Sequence, residues 1–178
     1  TGREVGESIP FGKQHLHQQL LLSPDERYLY TTNFYFDFIS RIDLLGNRQP
    51  SAIRIIGRQK RREDGWCWCS GMALNGDGSI AVISMGTDTR PDDPEVNRKD
   101  QLAIVDLTTE PPCLIDEVRL DDEAIGEGIV VPDDESAVYL TTSPRPRTDV
   151  PKVHRIELKP PHSVQTFSIP DGAPNDVA

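Results

Sequence analysis

The sequence predicts an all-β fold made of propeller blades, and three observations carry that expectation. The apolar residues come in short runs rich in β-branched and aromatic side chains, with a turn signal roughly every 6 to 12 residues. The runs fall into groups of four. The groups then repeat: aligned on a turn aspartate, Asp25, Asp77 and Asp134 are 52 and 57 residues apart. A four-stranded unit recurring about every 50 residues matches a propeller blade, a twisted meander that cannot bury both faces alone and must stack on its neighbours.

Taken in order, Thr1 to Pro10 (TGREVGESIP) reads as a stray outer strand with no partner before it. The first blade, about residues 15–57, has an apolar run ending at Leu22, a Ser-Pro-Asp-Glu turn, Arg27 to Thr32, Ile39 to Leu44, and Ser51 to Gly57. The second, about 66–120, opens at Trp66 and turns at Asn75-Gly76-Asp77-Gly78. It continues through Ser79 to Ser84, Leu102 to Leu107 and Leu114 to Leu120. The third, about 126–170, opens at Gly126 and turns at Pro132 to Glu135. Its later strands are Ala137 to Thr142, Val153 to Leu158 and Val164 to Pro170. Residues 173–178 read as the start of a further blade. Each third strand carries an acidic residue before a terminal leucine: ISRIDL, LAIVDL and VHRIEL.

The 178 residues hold 19 basic and 29 acidic side chains, for a formal charge of −10. That balance argues against nucleic acid, whose phosphates call for a basic surface. No apolar run approaches the roughly 18 residues that span a bilayer as a helix. The chain starts at Thr1 without an apolar leader, which fits either a removed signal peptide or a piece of something longer. A periplasmic or secreted location is the favoured expectation. Three blades would leave two raw blade faces in water. The expected partners are therefore the remaining blades of a longer chain, or copies of this one.

The stretch SPDERYLYTTN followed by ISRIDL resembles the YVTN family of β-propellers, whose repeat is similar to SPDG-x-x-x-YVTN with a later V-x-V-ID. The second and third units depart from it. Asn75-Gly76 stands for Ser-Pro, and Leu140-Thr141-Thr142-Ser143 stands for the terminal VTN.

In such a fold the loops between second and third strands, and those between blades, share one end with the starts of the innermost strands. Function is expected at that end, because loops on a rigid frame carry it. The inter-blade loop 57–65 (GRQKRREDG) displays Arg58, Arg61 and Arg62, as an anion or partner site or simply as a solvated loop. Beside it, Trp66 and Trp68 alternate with Cys67 and Cys69, a Cys-x-Cys pair that could hold a soft metal, act in redox chemistry or pack as small hydrophobes. The loops 86–100 and 143–151 read as recognition loops or tolerated insertions, the second displaying Arg145 and Arg147. The leading expectation is thus a non-catalytic propeller that binds a protein or small molecule at this end.

Two further likenesses imply an alternative. His15 and His17, in HLHQ, are similar to the HPHQ stretch of the lactonase seven-bladed propellers of the 6-phosphogluconolactonase type. That likeness implies a sugar-lactone pocket with Arg58 or Arg62 as a phosphate contact. Ala173-Pro174-Asn175-Asp176 is similar to the PNG stretch of gluconolactonase-like propellers, in which an asparagine contacts a divalent metal. It implies Asn175 and Asp176 as oxygen ligands, which Glu127 could join. The alternative is therefore a lactonase-like hydrolase with catalytic His15 and His17 and a divalent metal at the channel mouth.

Overall fold

A computed structural model describes residues 17–33, 38–54, 67–87, 101–120, 124–144 and 150–169. The described residues form twelve strands in three four-stranded antiparallel meanders. Blade 1 holds β1 (His17–Leu22), β2 (Tyr28–Asn33), β3 (Phe38–Asp43) and β4 (Pro50–Arg54). Blade 2 holds β5 (Cys67–Leu74), β6 (Ile80–Thr87), β7 (Gln101–Asp106) and β8 (Cys113–Arg119). Blade 3 holds β9 (Ala124–Val130), β10 (Ala137–Pro144), β11 (Lys152–Glu157) and β12 (Val164–Ser168). The expected grouping holds. Strand ends differ by a few residues: β9 starts at Ala124 rather than Gly126, and β10 runs on through Ser143 and Pro144.

Side chains on a strand alternate between its two faces, and here both faces of each interface are apolar. From blade 2, Ala81, Ile83, Met85, Ala103 and Val105 pack on Tyr30, Ile39 and Ile53 of blade 1. The alternate positions Val82, Leu102, Ile104 and Val118 pack on Val138, Leu140 and Ile156 of blade 3. The stacking order follows the chain, with β1 beside β5 and β5 beside β9.

The turn after each innermost strand is built the same way three times. The aspartate side chain accepts the amide two residues on: Arg27 to Asp25 at 3.1 Å, Ser79 to Asp77 at 2.8 Å, Ser136 to Asp134 at 3.1 Å. The residue after each aspartate has positive φ: 57° at Glu26, 73° at Gly78, 53° at Glu135. Ser23 Oγ accepts the Tyr28 amide at 2.8 Å, and Asn75 Oδ1 accepts the Ile80 amide at the same distance. Asparagine therefore does in blade 2 what serine does in blade 1. The turns also touch each other. A Cβ on Gly78 would lie 2.6 Å from Pro24 Cδ, and the Gly76 amide donates to Glu135 Oε1 at 2.8 Å.

The acidic residue that ends each third strand closes the next turn. Asp43 accepts the amides of Leu45 and Gly46, and Asp106 accepts the amide and hydroxyl of Thr108. The following leucine amide in each blade donates back to the first turn: Leu44 to Arg27, Leu107 to Ser79, Leu158 to Ser136.

These turns predict two stability effects. Gly78→Ala meets both positive φ and the Pro24 ring and should cost at least about 1 kcal/mol in urea denaturation. Glu26→Gly relieves left-handed strain and should gain up to about 1 kcal/mol. Hydrogen bonds, from the hydroxyls of Ser23 and Ser79 and from the Ser136 amide first of all, hold Asp25, Asp77 and Asp134 below the usual carboxylate range. A carboxyl depressed on folding adds stability above its unfolded value and loses it as pH falls through the folded one. Acid should therefore begin to destabilise the chain below about pH 4, and Asp77→Asn should flatten that dependence. Tyr30, pushed up to about 12 by burial, works at the other end. Its contribution is complete below pH of about 10 and is lost as pH rises toward 12.

Candidate functional site

The three innermost strands share a feature that alternation alone does not foretell. Each carries a β-bulge. Register shifts between His17 and Leu20, between Cys69 and Gly71, and on β9 between the partners of Leu140 and Thr142. The bulges fall at equivalent places, residues 18–19, 70–71 and 127–128. Each is capped by a hydroxyl from the second strand, seven residues past the turn aspartate. Thr32 Oγ1 accepts the Gln19 amide at 3.1 Å, Ser84 Oγ the Gly71 amide at 2.9 Å, and Thr141 Oγ1 the Gly128 amide at 3.0 Å. Ser84 and Thr141 also donate back to the carbonyls of Gly71 and Gly128. The threonine of the repeat is thus a bulge cap. Sequence reasoning quoted this residue as part of a motif but missed its role, although its constant offset from the turn aspartate was there to be read.

In blades 1 and 3 the next position of the second strand reaches to the third, whereas in blade 2 it is Met85, buried in the core. Asn33 Nδ2 donates to the Phe38 carbonyl and to Ser40 Oγ, at 3.1 and 3.2 Å. In blade 3, Thr142 Oγ1 lies 3.0 Å from His154 Nε2, while His154 Nδ1 lies 3.0 Å from Thr166 Oγ1. His154 is fully buried, so this histidine ties three strands together. Ser84→Ala should leave the buried Gly71 amide without its acceptor and cost about 1–3 kcal/mol by thermal or urea denaturation.

Beyond the bulges, β1, β5 and β9 start at one end of the stack, where the expected site residues fall. His17 is the first residue of β1 and pairs with Asn33. Cys67 and Trp68 begin β5 opposite Thr87 and Gly86. Glu127 is a bulge residue of β9. The β5 register runs unbroken from Cys67 to Cys69 and shifts immediately after. Cys69 is buried in the core between blades 1 and 2, which favours packing as its role. Cys113 is exposed near Thr109.

His15, Arg58, Arg61, Arg62, Trp66, Arg145, Arg147, Asn175 and Asp176 lie outside the described residues, as do the stray strand 1–10 and the start at 173–178. Among the described residues, no group of three His, Cys, Asp or Glu side chains is placed to hold a metal ion. No described helix is long and apolar enough to cross a membrane.

The opposite end is taken up by structural contacts. Arg27 pairs with Asp43 at 3.1 Å and stacks on Tyr28. Arg41, also over Tyr28, bridges to Glu110 of blade 2 with 2.9 Å to each carboxylate oxygen. His162 Nε2 lies 2.8 Å from Asp116 Oδ2, joining blades 2 and 3, and its Nδ1 lies 2.9 Å from the Glu157 carbonyl. The His162 contact holds the Asp116 carboxyl below its usual range.

Solved structures share this architecture. The chain is similar to the periplasmic gluconolactonase of Pseudomonas aeruginosa, with a TM-score of 0.64 at 13% identity over 91% of this chain and 42% of that one. It is similar to the Cps50 (Swd1) β-propeller domain of Myceliophteria thermophila, with a TM-score of 0.61 at 9% identity over 92% and 44%. A putative 6-phosphogluconolactonase of Bacteroides uniformis matches with a TM-score of 0.56 at 15% identity over 84% and 39%. The chain therefore spans less than half the length of each of these structures. No family model and no curated relative matches the chain. At these identities the likeness establishes propeller blades.

Proposed function

We propose that this chain is a binding propeller, which recognises a protein or small-molecule ligand through the end at which β1, β5 and β9 begin. The observation that carries this reading is the division between the two ends of the blades. At the turn end, the carboxylates of Asp25, Asp43, Asp77, Asp106, Asp116 and Asp134 serve turns or blade-to-blade contacts. The strand-start end takes the longest connections of the sequence, with the basic run Arg58 to Arg62 and the arginines Arg145 and Arg147. Three bulges also fall just inside it, and bulges concentrate beside functional sites because they re-aim side chains.

In an acidic protein such a basic run selects acidic ligands. A fluorescent polyglutamate peptide should bind the chain in a salt-dependent way. Replacing Arg58, Arg61 and Arg62 together by glutamate should weaken that binding at least about tenfold. Binding unchanged by both salt and the triple substitution would defeat the reading.

A second reading is favoured by the gluconolactonase and putative 6-phosphogluconolactonase likenesses: a lactone hydrolase with His15 and His17 at the channel mouth and a divalent metal on Asn175, Asp176 and Glu127. Hydrolysis of a sugar δ-lactone, lost on His17→Ala and on chelation, would favour it over simple binding. Turnover equal to the uncatalysed rate with added divalent metal would reject it.

A further inference from the structure

Blade 3 presents on its outward face the same set of side chains with which blade 1 grips blade 2. In blade 1, Tyr30 stands opposite Arg41, and Ile39 opposite Ile53. In blade 3, Tyr139 stands opposite Arg155, and Val153 opposite Phe167. The correspondence is fixed by register: Arg41 and Arg155 each lie two residues before the acidic residue that ends the third strand, in RIDL and RIEL. In blade 1 this face is covered, with Ile53 2% exposed and the Arg41 side chain 12% exposed. In blade 3 the matching Phe167 is 50% exposed and the Arg155 side chain 24% exposed. Arg155 turns along its own strand to Glu157 at 3.3 Å, whereas Arg41 reaches across to the next blade.

From this we infer that the outward face of blade 3 docks a further blade of the same repeat that carries a carboxylate three residues past the terminal leucine of its third strand. That is where Glu110 stands relative to Leu107 in blade 2. A second copy of this chain does not supply it. Its blade 1 has Asn47 at that position with Arg48 beside it, so the approaching loop would bring a cation toward Arg155. The strands of blade 1 that would face Arg155 are also closed: Thr31, Asn33, Ser40 and Ile42 are already buried, and Asn33 is bonded to Ser40. The occupant is therefore a blade from outside these 178 residues. It would cover Tyr139, Val153 and Phe167 with an apolar face, as Ala81, Ile83 and Met85 cover blade 1.

The test appends a second copy of residues 65–120 after Ala178, which reproduces the spacing found between Arg54 and Cys67. Amide exchange in β12 should slow at least about tenfold relative to the unextended chain. Glu110→Arg in the appended copy should abolish that protection, and adding Arg155→Glu should restore it. Exchange in β12 that is unchanged by a folded appended blade, or protection indifferent to the charge swap, overturns the inference. Light scattering on the unextended chain decides independently, even if the appended blade fails to fold. A monomer with rapid β12 exchange is the expected result, and a stable oligomer that protects β12 would show that a copy covers this face after all.

Discussion

A four-stranded meander with apolar side chains on both faces cannot stand alone in water, and the rest of this structure answers that constraint. Blade 2 shows it best. Val82 and Ile83 are adjacent on one strand and both fully buried, one toward blade 3 and the other toward blade 1. Burial on both faces is possible only if the neighbours keep a fixed angle and height. The turn contacts set the height: Pro24 sits against Gly78, and Glu135 accepts the Gly76 amide. Further out, Arg41 to Glu110 and His162 to Asp116 bridge the blades near their outer strands. In each pair the carboxylate stays in solvent, which screens the attraction and keeps its contribution modest, so the larger role is to select the correct neighbour and register.

The innermost strands face a second demand. Strands packed side by side around an axis need extra twist and curvature, and a bulge supplies both at the expense of an unpaired amide. The hydroxyl of Thr32, Ser84 or Thr141 accepts that amide. A buried amide without an acceptor costs more than an ordinary hydrogen bond gains. This explains why a small hydroxyl residue stands at this offset in all three blades while the flanking positions vary from Asn33 to Met85 to Thr142.

Much of this fold was legible in the sequence because the frame is written in local signals. The turn aspartates, the acidic residue before each terminal leucine and the two-residue alternation all act within a few residues. They placed the three blades, with strand ends off by up to a few residues. The bulges were not legible, since an extra residue in one strand shows only against its partner. That matters for the site. Alternation read along β5 misleads beyond Cys69, across Ser70 and Gly71, where the register shifts. The candidate site was readable only as an expected location, the end at which β1, β5 and β9 begin. His154 shows why residue type alone says little. A histidine at the centre of a blade could have been a catalytic base, yet both ring nitrogens meet threonine hydroxyls in a buried three-strand tie.

The same contrast between local and non-local information bears on how the blades differ. The first and third blades keep the arginine two residues before the acidic strand end, while blade 2 has Ile104 there, packed into the apolar core against blade 3. Blade 2 is held from both sides, so its outward contact can be apolar and still specific through His162 and Asp116. Blade 1 meets the next blade with a rim that includes a charge, and one guanidinium nitrogen of Arg41 held between both Glu110 oxygens fixes the distance there. An arginine conveys partner choice only if it goes unsatisfied in the wrong pairing, because a cation left against a like charge is penalised more than a matched pair is rewarded. The arrangement at blade 3, with Tyr139 and Phe167 flanking Arg155 on an open face, is what such a selective rim looks like before its neighbour is in place.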